Sequence, residues 1–166
     1  MKKFLFLLMP LFTFGFQCVK AQETPTRIVT NHPDFKIKVS RCAASGKTVV
    51  INFVLTNAGT QDIDGVMVYG GGSGPWSTAT EAYDSEGNIY KNEEAISIRM
   101  ANFDEYSREQ KFDLIPDVPM KMSIRINGVP TSVESIARLK IEFRCPKWGL
   151  NYDKPVVIRN IPISRD

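Results

Sequence analysis

Thr48-Val49-Val50-Ile51-Asn52-Phe53-Val54-Leu55-Thr56-Asn57 decides the fold class. Val49, Ile51, Phe53 and Leu55 share one side of a period-two pattern, and Val50, Asn52, Val54 and Thr56 share the other. Residues two apart fall on one face only in an extended strand, and β-branched side chains suit a pleated surface. One wholly apolar face and one mixed face predict a strand near the middle of a sheet. Asn57-Ala58-Gly59 ends it with residues that tolerate positive φ.

The same alternation spreads in both directions. Upstream, Phe35, Ile37 and Val39 alternate with Lys36, Lys38 and Ser40, and Gly46 permits the turn between the two strands. Downstream, Val66 and Val68 follow Asp64-Gly65, and Ala82-Tyr83-Asp84 and Ile89-Tyr90 flank the hairpin residues Ser85-Glu86-Gly87-Asn88. Ile96, Ile98 and Met100 form a further strand, and Phe112-Asp113-Leu114 a short one. Met120, Met122, Ile124 and Ile126 point inward, as do Ala137, Leu139, Ile141, Phe143 and Cys145, with Arg138, Lys140, Glu142 and Arg144 outward. Residues 156–163 close the domain, with Pro162 marking an edge or strand end. No helical pattern exceeds a turn or two. The expected fold is all-β, a two-sheet antiparallel sandwich of about eight strands.

Ahead of the domain, Met1-Lys2-Lys3, an apolar run over residues 4–16 and Val19-Lys20-Ala21 before Gln22 read as a secretory signal peptide over residues 1–21, cut after Ala21. The run is too short to span a membrane. The rival reading anchors a lipid on Cys18, although Gly15 and Gln17 stand where a lipoprotein signal usually carries Leu and a small residue. Residues 22–33 are polar and proline-punctuated, a flexible N-terminal lead, so the sandwich domain is expected over residues 34–166. Export to the periplasm or beyond follows.

Removing the signal takes Lys2, Lys3 and Lys20 from the 21 Lys and Arg, leaving 18 against 18 Asp and Glu. Zero net charge gives no support for a nucleic-acid partner or an anionic membrane surface. Cys42 and Cys145 are then the remaining cysteines, an even number that an oxidising compartment favours pairing. The alternative is two buried thiols packing as small hydrophobes. Alternation places Cys145 on a buried face, but Cys42 is out of phase with Val39 unless a bulge lies near Arg41.

No catalytic constellation emerges. His32, the single histidine, lies in the lead, away from the rigid support that catalysis requires. Two cysteines and one distant histidine do not make a zinc site. Asp62, Asp64, Asp84, Glu86 and Asn88 are oxygen donors near turns, but Gly87 falls too early for a calcium loop. Residues 70–74, rich in glycine, lack the Lys-Ser/Thr of a phosphate loop. Neither metal nor cofactor is expected. Trp76, beside Pro75 at the end of that glycine-rich loop, is the sharpest candidate for stacking on a ligand, with Tyr83, Tyr90 and Trp148 extending the surface. The competing reading folds Trp76 back as an apolar plug.

Val50-Ile51-Asn52-Phe53-Val54-Leu55-Thr56-Asn57, Tyr83-Asp84-Ser85-Glu86-Gly87-Asn88-Ile89-Tyr90, Val118-Pro119-Met120-Lys121 and Val129-Pro130-Thr131-Ser132-Val133 occur in an order that resembles the secreted bacterial immunoglobulin-like domains of unknown function. Those domains share a strand ending in Asn, an Asp-x-x-Gly-Asn hairpin with nearby Tyr and a proline-containing entry into two long final strands. The resemblance spans residues 35–143 and implies an immunoglobulin-like sandwich without catalytic residues. The expectation is an exported, non-catalytic module that binds a cell-envelope protein or polysaccharide. A carbohydrate-binding module using exposed aromatics is the alternative, and a hydrolase a distant third.

Overall fold

A computed structural model describes residues 25–30, 32–72, 79–101, 103–150 and 154–165. The signal-like stretch, Cys18, Ala21 and Trp76 lie outside the described residues. Twelve strands appear among the described residues, against about eight expected. They are β1 (Arg27–Val29), β2 (Phe35–Ser45), β3 (Thr48–Asn57), β4 (Ile63–Tyr69), β5 (Glu81–Asp84), β6 (Ile89–Tyr90), β7 (Ile96–Met100), β8 (Glu109–Leu114), β9 (Met120–Asn127), β10 (Ser135–Arg144), β11 (Val156–Pro162) and β12 (Ser164–Arg165). The additional strands β1 and β12 are two or three residues long, below the length at which alternation can be read.

Two sheets carry these strands. One runs β12-β2-β3-β9-β7, and the other β1-β11-β10-β4-β8, with β5 also on β10 and β6 on β5. All pairings are antiparallel except that of β12 with β2, which is parallel and departs from the expected all-antiparallel arrangement. β3 sits centrally, its Val49, Ile51, Phe53 and Leu55 buried between the sheets. Phe35 of β2 meets Phe143 of β10 edge to face across the core, ring centroids 4.9 Å apart. The β2–β3 hairpin turns at Gly46, whose φ of +56° is costly for any residue bearing a Cβ.

Several expectations need correction. Part of the lead is structured: Arg27–Val29 pairs with Arg159, Ile158 and Val157 of β11, so the sheet begins before Asp34. In β10 a register shift against β5 lies between Ile136 and Arg138, which puts Ile136 in the core in place of Ala137. Glu142, read as outward, is buried.

The disulfide does not form; Cys42 and Cys145 are free and buried. A bulge between Val39 and Arg41 turns Cys42 inward, opposite Ile51. Cys145, however, follows Phe143, which touches Phe35 at the start of β2. Cys42 stands seven residues further along that strand, about 23 Å at 3.3 Å per residue, whereas bridged cysteines need Cα atoms within about 7 Å. The Cys145 thiol instead donates to the Asp64 carbonyl at 3.4 Å.

Candidate functional site

Of the aromatic residues singled out from sequence, the three described, Tyr83, Tyr90 and Trp148, do not come together. Tyr83 is half-buried on the outer face of β5, with the Arg138 guanidinium 5.7 Å from its ring centroid. Tyr90 is a correction. It pairs with Ala82, points into the core and spends its hydroxyl on Asp84, so it offers no platform. Trp148 lies in the 3₁₀ turn Pro146–Trp148 beyond the far end of β10, its ring 6.1 Å from that of His32 in an edge arrangement. His32 Nδ1 accepts from the Asp34 amide at 3.1 Å, a structural role.

The hairpin acids are likewise structural. Asp84 accepts from the Glu86 and Asn88 amides, from Asn88 Nδ2 and from the Tyr90 hydroxyl, all at 2.8–2.9 Å. Burial would raise its pKa, but the hydrogen bonds from Asn88, Tyr90 and Glu86 outweigh burial and hold the carboxyl below its ordinary value. Among the described residues no group of three or more His, Cys, Asp or Glu is disposed to hold a metal ion. Burial pushes the Cys42 thiol up to about 12, only partly offset by Arg165, and also raises Cys145; neither has the character of a nucleophile.

Hydrogen bonds join residues 70–72 and Thr80 in a narrow neck. Tyr69 of β4 pairs with Glu142 and Glu81 of β5 with Lys140, so β4 and β5 lie end to end along one edge of β10. The Thr80 amide donates to Gly70 O at 2.9 Å and closes the neck. Gly71 donates to Ile96 O and Gly72 to Lys91 O, which ties the chain after β4 to the end of β6 and the start of β7.

Charge supplies the feature that alternation and net charge concealed. No Asp or Glu stands in β2, β3, β7, β9 or β12. The same strands carry Lys36, Lys38 and Arg41, Arg99, Lys121 and Arg125, and Arg165. The inward positions are apolar, so all of these except Arg165 fall on the outer face of the five-stranded sheet. The acids concentrate in loops and in β4, β5, β8 and β10. Basic and acidic residues are therefore divided unevenly between faces.

A shallow groove of about 570 Å³ crosses this outer face, lined by Ser40, Asn52, Val54, Arg99, Lys121 and Ser123, with Phe103 and Asp104 from the connection after β7. Register builds it. Lys38 and Lys121 flank Val54 in one row, and Arg41, Asn52, Ser123 and Arg99 follow in the next. Ser40 Oγ donates to the Asn52 carbonyl at 3.1 Å and Ser123 Oγ to Asn52 Oδ1 at 2.8 Å, which fixes the floor. Two guanidinium groups lie over the Tyr106 ring, Arg125 3.7 Å and Arg99 5.0 Å from its centroid. Phe103 is 43% exposed beside them. The groove thus combines fixed hydrogen-bonding groups, cations and an exposed ring on a sheet surface.

No helix among the described residues is long and apolar enough to cross a membrane. No family model matches the chain. No curated protein matches it. Among solved structures, a selenomethionine-labelled beta-glucosidase from Kluyveromyces marxianus aligns with 76% of this chain at 11% identity and a TM-score of 0.33, a likeness too slight to bear on activity. The chain spans 14% of the length of that glucosidase chain.

Proposed function

We propose that the chain is an exported, non-catalytic binding module that holds an anionic polysaccharide of the cell envelope along the outer face of its five-stranded sheet. The observation that carries this reading is the absence of any acid from five strands that present Lys38, Arg41, Lys121 and Arg99 on one outer face, where Lys121 and Arg99 line the groove. Carboxylated sugars match such a face: the anionic groups meet the cations, Ser and Asn groups meet ring hydroxyls, and Phe103 offers a surface for a sugar ring. Export rests on the signal-like residues 1–21, and the immunoglobulin-like character of the sandwich on the order of sequence motifs from Val50 to Val133.

Affinity electrophoresis through gels containing polygalacturonate, with neutral dextran as control, tests the reading. Retardation by polygalacturonate alone, fading as NaCl shortens the screening length, is expected. Lys38→Gln/Lys121→Gln removes two exposed ion pairs at about 0.2–1 kcal/mol each. That corresponds to a loss of affinity between roughly twofold and thirtyfold. Equal mobility in both gels overturns the proposal, as does shortening of the polymer, which would make the chain an enzyme.

A further inference from the structure

The opposite sheet carries a second cationic strip. Arg27 of β1 pairs with Arg159 of β11, Arg159 with Arg138 of β10, and Arg138 with Tyr83 of β5. In the adjoining row, Ile28, Ile158, Leu139 and Ala82 face the core, so the three arginines share the outer face. Neighbouring strands lie about 4.8 Å apart, which sets the Cα atoms of the three arginines along roughly 10 Å. Like charges directly opposite one another repel, and β1 and β11 supply no acid to relieve them. The nearby Glu81 is engaged by Lys140 at 3.9 Å. Arg138 Nε is buried and has no hydrogen-bond partner among the described residues, a donor left unmatched within the row.

An arrangement that costs stability in the free protein and aligns forked donors is suited to a row of oxyanions. We propose that this arginine ladder is a second polyanion site and that the module, with cationic surfaces on both outer faces, cross-links anionic polysaccharide chains. The cross-linking rests on the function proposed above; the ladder stands on its own register and charge. The two sites lie on opposite sheets, so one protein molecule cannot satisfy both with a single straight segment of polymer. Bridging two segments is the geometric consequence.

Turbidity of polygalacturonate solutions titrated with the full chain tests the bridging, and gel retardation reports binding in parallel. Wild type is expected to cloud the solution at intermediate ratios and to clear with excess polymer. Arg27→Gln/Arg159→Gln and Lys38→Gln/Lys121→Gln should each still be retarded, but neither should cloud. Clouding by the ladder variant equal to wild type overturns the inference, as does wild type that binds without clouding, which leaves the proposed function intact. Wild type that does not bind overturns the proposed function instead. The ladder is read separately by adding inorganic pyrophosphate and following amide resonances. Shifts confined to β1, β5, β10 and β11 and lost in the ladder variant support it, and their absence overturns it whatever the polysaccharide does.

Discussion

Four donors converge on the Asp84 carboxylate and convert the residues Ser85, Glu86, Gly87 and Asn88 into a fixed turn. Its folded pKa lies below the ordinary 3.8, so its contribution to stability is whole at neutral pH and is lost as pH falls through 3.8 towards the lowered value. Asp84→Asn leaves Tyr90 and Asn88 poorly matched and should cost about 1–3 kcal/mol at pH 7. Urea unfolding at pH 7 and pH 3 checks this: the gap between wild type and variant should narrow in acid. The sequence showed the turn, because Asp, Gly and Asn are turn residues by their own chemistry. It did not show that Tyr90 points inward, since a two-residue strand has no period from which to read a face.

Among the elements, the neck at residues 70–72 has a tight requirement. A Cβ on Gly71 would lie 1.8 Å from the Asn92 carbonyl oxygen, and one on Gly70 3.0 Å from that of Ile96. Both obstacles are backbone, so Gly71→Ala must displace the turn at Asn92 and Glu93 ahead of β7 and should cost about 3 kcal/mol, the upper end for overpacking. Thermal or urea unfolding reads that loss, and an unchanged midpoint would contradict the close approach. The glycines marked a loop from composition alone. That its two ends rejoin on the same edge of β10 was hidden, because the pairing of Tyr69 with Glu142 and of Glu81 with Lys140 joins residues more than fifty positions apart. Long strands such as β3, β9 and β10 were readable because their burial alternates over many residues. The bulge at Val39 and Arg41 was readable only as the condition under which Cys42 could be buried.

At the scale of the whole molecule, alternation gives each strand a buried side but not its neighbours. That is why pairing Cys42 with Cys145 from their number alone failed. Both thiols should survive air oxidation and react with a thiol reagent only on unfolding, and a peptide linking residues 42 and 145 in non-reduced mass analysis would contradict this. Charge followed the same logic. Every basic residue of the five-stranded sheet was visible, yet its unbalanced face emerged only once β2, β3, β7, β9 and β12 were known to lie side by side.

The last of those strands reaches furthest. Ser164 and Arg165 cross from β11 to the other sheet, pair with Ala43 and Ala44, and Arg165 donates to the carbonyls of Gly46, Pro130 and Val133. The edge of β2, among the earliest parts of the domain to be synthesised, thus waits for its neighbour until residue 165 has left the ribosome. Contacts of such sequence separation form slowly, because the intervening chain must be ordered before they can be made. Synthesis and closure therefore run in opposite order, and a growing chain on the ribosome keeps this edge unsealed until translation has passed Arg165.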